Sequence, residues 1–265
     1  MADRAGSARD AAPARSGNEF APRRVPQPRS RSRPRPNDAE IPLATRFDTA
    51  YIVASIPALI DGLGMTVLVS ALSIALAVAI GIAGAALRVF RVPVIDQLIQ
   101  GYVEFIRNTP LLVQIFFIFY GLPPLGLQLS PFWSGVLALT IWGGAFNVEN
   151  FRGGFLAVAK GLREASLALG LDRFLYLRLV ALPLGLRVAI PSVLNTSVSV
   201  LKNSAYLQAI GLAELTFVAM DKLSSDFRTL EMFASIGVIY LGLVLTLSWL
   251  VRRLEFRLQR PFRTA

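Results

Sequence analysis

The chain alternates long apolar runs with short polar breaks, and the runs have the lengths of membrane-crossing helices, which need about 20 apolar residues each. Gly62 to Leu87 supplies the first. Ser73, Ala77, Gly81 and Ala85 recur every four residues along it, a small-residue ridge that lets a second helix approach closely in lipid, where packing replaces the hydrophobic drive. The ridge predicts a helical bundle and nothing more specific. Leu111 to Leu122 is apolar but too short to cross alone, so a helix starting near Asp96 and carrying Glu104 and Arg107 toward its watery end is expected. Phe132 to Phe151, Leu184 to Leu201 and Met232 to Val251 supply three further spans.

The breaks set the orientation. Arg88 and Arg91 close the first run, and Arg252, Arg253, Arg257 and Arg260 close the last; basic loops stay on the cytoplasmic side. Five crossings then place the C-terminus, the Arg88–Arg91 break and the polar segment between the third and fourth runs inside. The same count puts the Arg-rich N-terminus outside, against the rule. A translocated tail, an extra crossing built from residues 47–60, or a later start site would each resolve this. Residues 47–61 contain Asp48 and Pro57 and are read as an interfacial lead-in. Thr216 to Glu231 is read as a loop with a short amphipathic piece.

Residues 1–46 are rich in Arg, Pro, Ala and Ser and too poor in apolar residues to fold, so a disordered tail is expected. It lacks the apolar stretch of a signal peptide and is expected to stay on the mature chain. No aromatic residue interleaves the arginines of 23–35, which argues against base stacking and nucleic-acid binding.

Composition agrees with the pattern and removes several chemistries. The 265 residues are 54% hydrophobic, with mean hydropathy +0.55, as in a polytopic helical membrane protein. There is no Cys and no His, which excludes disulfides, thiolate nucleophiles, the Ser-His-Asp triad and histidine metal sites. No G-x-x-x-x-G-K-[ST] loop occurs, so ATP chemistry would have to come from a partner. The net charge of +10 is accounted for by cytoplasmic loops beside anionic lipid.

The stretch Glu164 to Pro183, EASLALGLDRFLYLRLVALP, is a soluble-looking helix-turn-helix between spans. Glu164 through Leu169 are good helix formers, Gly170 suits the left-handed residue that ends a helix, and Asp172 suits the N-cap of the next. Leu182-Pro183 is expected to bend the chain. The spacing of Glu164-Ala165-Ser166, Gly170, Val180 and Leu182-Pro183 resembles the EAA signature of ABC importer permeases, with Ser166 in place of the second Ala. Residues 102–123, YVEFIRNTPLLVQIFFIFYGLP, resemble the permeases for polar amino acids within that family. Ala145 to Gly153 is similar to its A-Y-x-A-E-x-x-R-G pattern, with Phe146 and Val148 as departures. Leu201-Lys202-Asn203-Ser204, followed by Ile210-Gly211 and Glu214-Leu215, resembles its L-K-N-[ST]-S-L run, with Ala205-Tyr206 replacing Ser-Leu.

The resemblance covers residues 60–258 and implies an all-α polytopic membrane protein of about five transmembrane helices, in the type I ABC importer permease architecture. Residues 62–258 would form the permease domain, with a cytoplasmic coupling loop at 160–183. It further implies amino-acid uptake across the cytoplasmic (inner) membrane, driven by two ABC ATPase subunits that bind ATP and Mg. A second permease subunit and an extracytoplasmic amino-acid-binding protein complete the expected assembly, and this chain itself would bind no cofactor. Glu164, Ala165, Ser166, Gly170, Asp172 and Pro183 are the expected ATPase-coupling residues. Asn147, Glu149, Asn195, Lys202, Asn203 and Ser204 are candidate pathway residues, because polar groups in a broken membrane helix often face substrate. Two blander roles compete: an intrahelical Glu149–Arg152 pair at i, i+3, and a Lys202 side chain that snorkels to the interface. An ion-gradient-driven secondary transporter is the alternative function, although the inverted repeats usual there are not evident. An intramembrane enzyme lacks a paired catalytic motif.

Overall fold

The structure, a computed structural model, describes residues 47–89, 93–158 and 160–259; the expected disordered tail, residues 1–46, lies outside them. Among the described residues the secondary structure is helical throughout. The helices are α1 (Thr49–Val89), α2 (Pro93–Asn108), α3 (Leu111–Phe116), α4 (Pro131–Leu156), α5 (Lys160–Ala168), α6 (Arg173–Tyr176), α7 (Leu182–Asn203), α8 (Leu215–Asp226) and α9 (Thr229–Gln259). Three of them are long and apolar enough to cross a membrane, four if the bent pair α2–α3 counts as one span.

α4 is the interior helix. Its 26 residues include buried Ser134, Gly135, Thr140, Gly143, Gly144 and Asn147, a composition too polar and small to face lipid but suited to enclosure by other helices. The predicted ridge on α1 is the surface it meets. Ser73, Ala77 and Ala85 are at most 1% exposed, and a Cβ added at Gly143 would lie 3.0 Å from Ala77. At Gly81 an added Cβ would fall on Asn147, so the two backbones touch as closely as glycine allows. Contacts advance together along α1 and α4, from Ser73 with Val136 to Gly84 with Val148, so these helices run parallel. α7 runs antiparallel to α4: Gly135 meets Leu207, Gly143 meets Val200 and Gly154 meets Ala189. α1 and α4 therefore cross the bundle in one direction and α7 in the other.

Several expectations need correction. Residues 47–60 are no separate lead-in by conformation: Asp48 Oδ1 accepts from the backbone N–H groups of Ala50 and Tyr51 at 2.9 and 3.1 Å, and α1 runs on from that cap through Pro57. The single helix expected from Asp96 to Leu122 is broken, with α2 and α3 bent by 108°. Pro110 has no N–H to continue the ladder and disfavours a helical Thr109. The carbonyls freed at the break are met locally: Asn108 Nδ2 donates to Glu104 O, Thr109 Oγ1 to Phe105 O, and Gln114 Nε2 to Ile106 O. Leu182-Pro183 does not bend the chain either; a wide helical turn over Leu177–Ala181 absorbs the missing donor, and Phe174–Ile210 reads as one span. Lys202-Asn203-Ser204 is not an interruption, because α7 tightens there into a 3-10 helix over Ser204–Ile210. Thr216 to Glu231, expected as a loop with a short amphipathic piece, is mostly helix: α8 runs Leu215–Asp226 and α9 starts at Thr229.

The end of the bundle remote from α5 is fastened by buried carboxylates. Glu214, fully buried, caps α8 by accepting from Phe217 N at 2.8 Å. Its other oxygen accepts from Tyr240 Oη at 3.0 Å on α9 and from Thr66 Oγ1 at 3.4 Å on α1. Glu231 accepts from Asp48 N at 3.1 Å, joining the starts of α1 and α9.

Candidate functional site: coupling joint and polar faces

The segment between α4 and α7 folds locally as its residues dictate. Ser166 Oγ donates to Leu162 O at 2.6 Å. At the end of α5, Gly170 takes φ +78°, its N–H bonds to Leu167 O and that of Leu171 to Ser166 O, both at 3.0 Å. This is the glycine-terminated helix end that the left-handed region permits. Asp172 Oδ1 then accepts from Leu175 N at 2.8 Å, capping α6.

The joint stands clear of its own chain. From Lys160 to Gly170 every residue except Ser166 is exposed, Glu164 and Ala165 included, and an added Cβ at Gly170 would meet nothing within 4 Å. Pro183 is also exposed. Lys160 and Glu164 lie 3.8 Å apart in the open, a pair worth little. Leu169 is 81% exposed, and Leu162, Leu167, Phe174 and Leu179 are exposed as well.

The six candidate pathway residues are not brought together. Asn147 is interior and accepts from Asn150 Nδ2 at 3.1 Å; the same Nδ2 reaches Thr196 Oγ1 on α7 at 2.9 Å. Ser204 is buried and donates to Leu201 O at 2.7 Å. Glu149 lies between Arg88 and Arg152, 2.6 Å from each. Asn203 is half-buried, whereas Asn195 and Lys202 are exposed.

Those last two belong to a longer pattern. Ser192, Asn195, Ser199, Lys202 and Tyr206 follow one another at spacings of three and four along α7 and its 3-10 extension, which places them on one face, open or half-open in this chain. On α2, the exposed residues Gln97, Gln100, Glu104 and Asn108 form a second polar face. Between the two helices α4 shows the partly exposed pair Trp142 and Phe146, ring centroids 4.5 Å apart, and the Arg107 guanidinium lies 5.0 Å over the Phe146 ring. Sequence reasoning missed Ser192 and Ser199 and placed Arg107 only at the watery end of its helix. The 3-4-3-4 spacing on α7 was the available signal for the serines. Polar stripes on apolar helices face a water-filled cavity or another subunit rather than lipid.

The sequence profile described as binding-protein-dependent transport system inner membrane component matches residues 75–260. The chain belongs to that family. The permease is 38% identical over 216 residues to the glutamine transport system permease protein GlnP of Escherichia coli (strain K12), an alignment that covers 81% of this chain and 99% of the relative. Its fold matches a solved amino acid ABC transporter at 33% identity and TM-score 0.75, covering 80% of this chain and 99% of that one. It also superposes on the MetNI methionine ABC transporter with TM-score 0.68, at 18% identity, which speaks to the fold alone. Fold and family thus agree with the all-α permease architecture expected from the sequence.

Proposed function

We propose that this permease forms part of the membrane channel of an ATP-driven amino-acid importer. The observation that carries the reading is the exposed α5–Gly170–α6 joint, with exposed Leu162, Leu169 and Phe174, which runs on without a break into α7, the helix that bears the polar stripe. Two ATPase subunits would grip the joints of a permease pair, each displacement would pass along α6 into α7, and the polar faces would open alternately to the two sides. The second permease is a copy of this chain or a related one, and an extracytoplasmic binding protein delivers substrate at the opposite end. ATP and Mg are held by the ATPases, so this chain performs no hydrolysis.

The stripe favours a polar, uncharged amino acid such as glutamine. Lys202 offers one ammonium for an α-carboxylate, and Ser192, Asn195 and Ser199 offer neutral donors and acceptors for a side-chain amide. The 38% identity to a glutamine permease supports the same choice. The test is uptake of labelled glutamine into proteoliposomes holding the permease, its ATPase and its binding protein. Uptake should require ATP hydrolysis and persist when proton and sodium gradients are collapsed. Uptake that follows a gradient without ATP would instead establish a secondary transporter.

A further inference from the structure

At the end of the bundle where α5 begins, three helices meet in one cluster of charges. Arg88, in the last turn of α1, has a side chain only 14% exposed; its Nε donates to Asp96 Oδ1 on α2 at 2.7 Å. Its Nη1 donates to Glu149 Oε1 on α4 at 2.6 Å. The other oxygen of Glu149 accepts from Arg152 Nε at 2.9 Å and from Nη2 at 2.6 Å. Two guanidiniums and two carboxylates balance in charge. The Arg88–Glu149 pair, short and with side chains 14% and 22% exposed, holds better than an exposed pair such as Lys160–Glu164.

The cluster sits on the last turns of α4, the helix that leads into α5. A force on the coupling segment therefore has two exits: forward through α6 into α7, and backward into α4. We infer that Arg88 and Glu149 clasp α1, α2 and α4 into one block at this end, so that displacement of α5 moves all three together. Arg88 is then a positioning residue for transport. Removing the clasp lets α4 slip against α1 and α2, and nucleotide hydrolysis then turns over with less substrate moved. The inference rests on the proposed ATP-driven reading.

The test uses the complete importer in proteoliposomes, with ATP hydrolysis and substrate uptake measured on the same preparation. Glu149→Gln and Arg88→Gln are expected to assemble and hydrolyse ATP while uptake per ATP falls about fivefold or more, the lower range of couplings between sites. Arg88→Lys, which keeps the charge but not the two-pronged geometry, should retain an intermediate ratio, and Asp96→Asn, on the more exposed arm, should lose least. An unchanged uptake-to-ATP ratio in Glu149→Gln and Arg88→Gln overturns the inference, even if less complex assembles, because a purely structural role alters yield and not the ratio. Wild-type complex that shows no ATP-dependent uptake would defeat the proposed function instead, so the two failures are separable.

Discussion

Substitution at Gly170 separates backbone strain from partner contact. At φ +78° an L-residue costs about 1–2 kcal/mol, and an added Cβ there meets nothing within 4 Å among the described residues. Gly170→Ala therefore carries the strain and nothing else. A penalty of about 1.4 kcal/mol is tenfold in the local equilibrium, but the turn is closed by two backbone bonds and by the Asp172 cap, so its shape should persist and uptake fall modestly. Gly170→Arg carries the same backbone strain and adds a long charged side chain at an exposed position. Any further loss measures a surface outside the chain. We expect Gly170→Arg to insert normally, to retain less ATPase on copurification, and to take up substrate about tenfold or more below Gly170→Ala, the scale of a disrupted interface anchor. Uptake and ATPase retention are measured on membrane vesicles with matched permease content. Equal behaviour of the arginine and alanine variants would refute a joint that docks in a partner.

Three further outcomes follow from geometry. Lys202→Met removes the one ammonium on the α7 stripe and should raise the apparent KM for uptake about tenfold or more, the cost of a lost charged hydrogen bond, leaving assembly intact by size exclusion. Gly81→Ala drives a methyl into the Asn147 backbone region and should cost about 1–3 kcal/mol, seen as a lower melting temperature in detergent; Gly101→Ala, with nothing within 4 Å, should be neutral or slightly stabilising. Burial holds the Glu214 carboxyl above the usual carboxylate range. The folded state thus binds a proton that the unfolded chain releases, and this contribution to stability is present at low pH and lost as pH rises through the raised value. Glu214→Gln should flatten that pH dependence of the melting temperature, while Glu214→Ala, which strands Phe217 N–H, should melt lowest throughout.

Much of the bundle could be read from residue spacing, because the features that build it are local. The ridge at Ser73, Ala77, Gly81 and Ala85 needs only a period of four to be seen, and the Gly170 turn with its Asp172 cap is complete within a few residues. What escaped were features in which one part of the chain compensates for another. Pro110 stood in plain view, yet its effect depends on Gln114 reaching back to Ile106 O, which makes a sharp break tolerable. Pro183 gave the opposite error: a widened turn over Leu177–Ala181 let the helix continue. Asn147 and Lys202 looked alike as polar residues in apolar runs. Only the packing separates Asn147, wedged against Gly81, from Lys202, open on α7.

The break at Pro110 also bears on how the chain enters the bilayer during synthesis. The stretch after it, Leu111–Gly121, has eleven residues and spans about 16 Å, roughly half the hydrocarbon thickness. An insertion machinery that releases segments on their own hydrophobicity has too little to grip there. The bent pair α2–α3 would then gain its cover only when α4 emerges and supplies Val136 and Leu139 to Ile115 and Ile118. A nascent chain arrested before α4 should therefore leave α3 on the side where α2 began, and integration should complete only once α4 has left the exit tunnel.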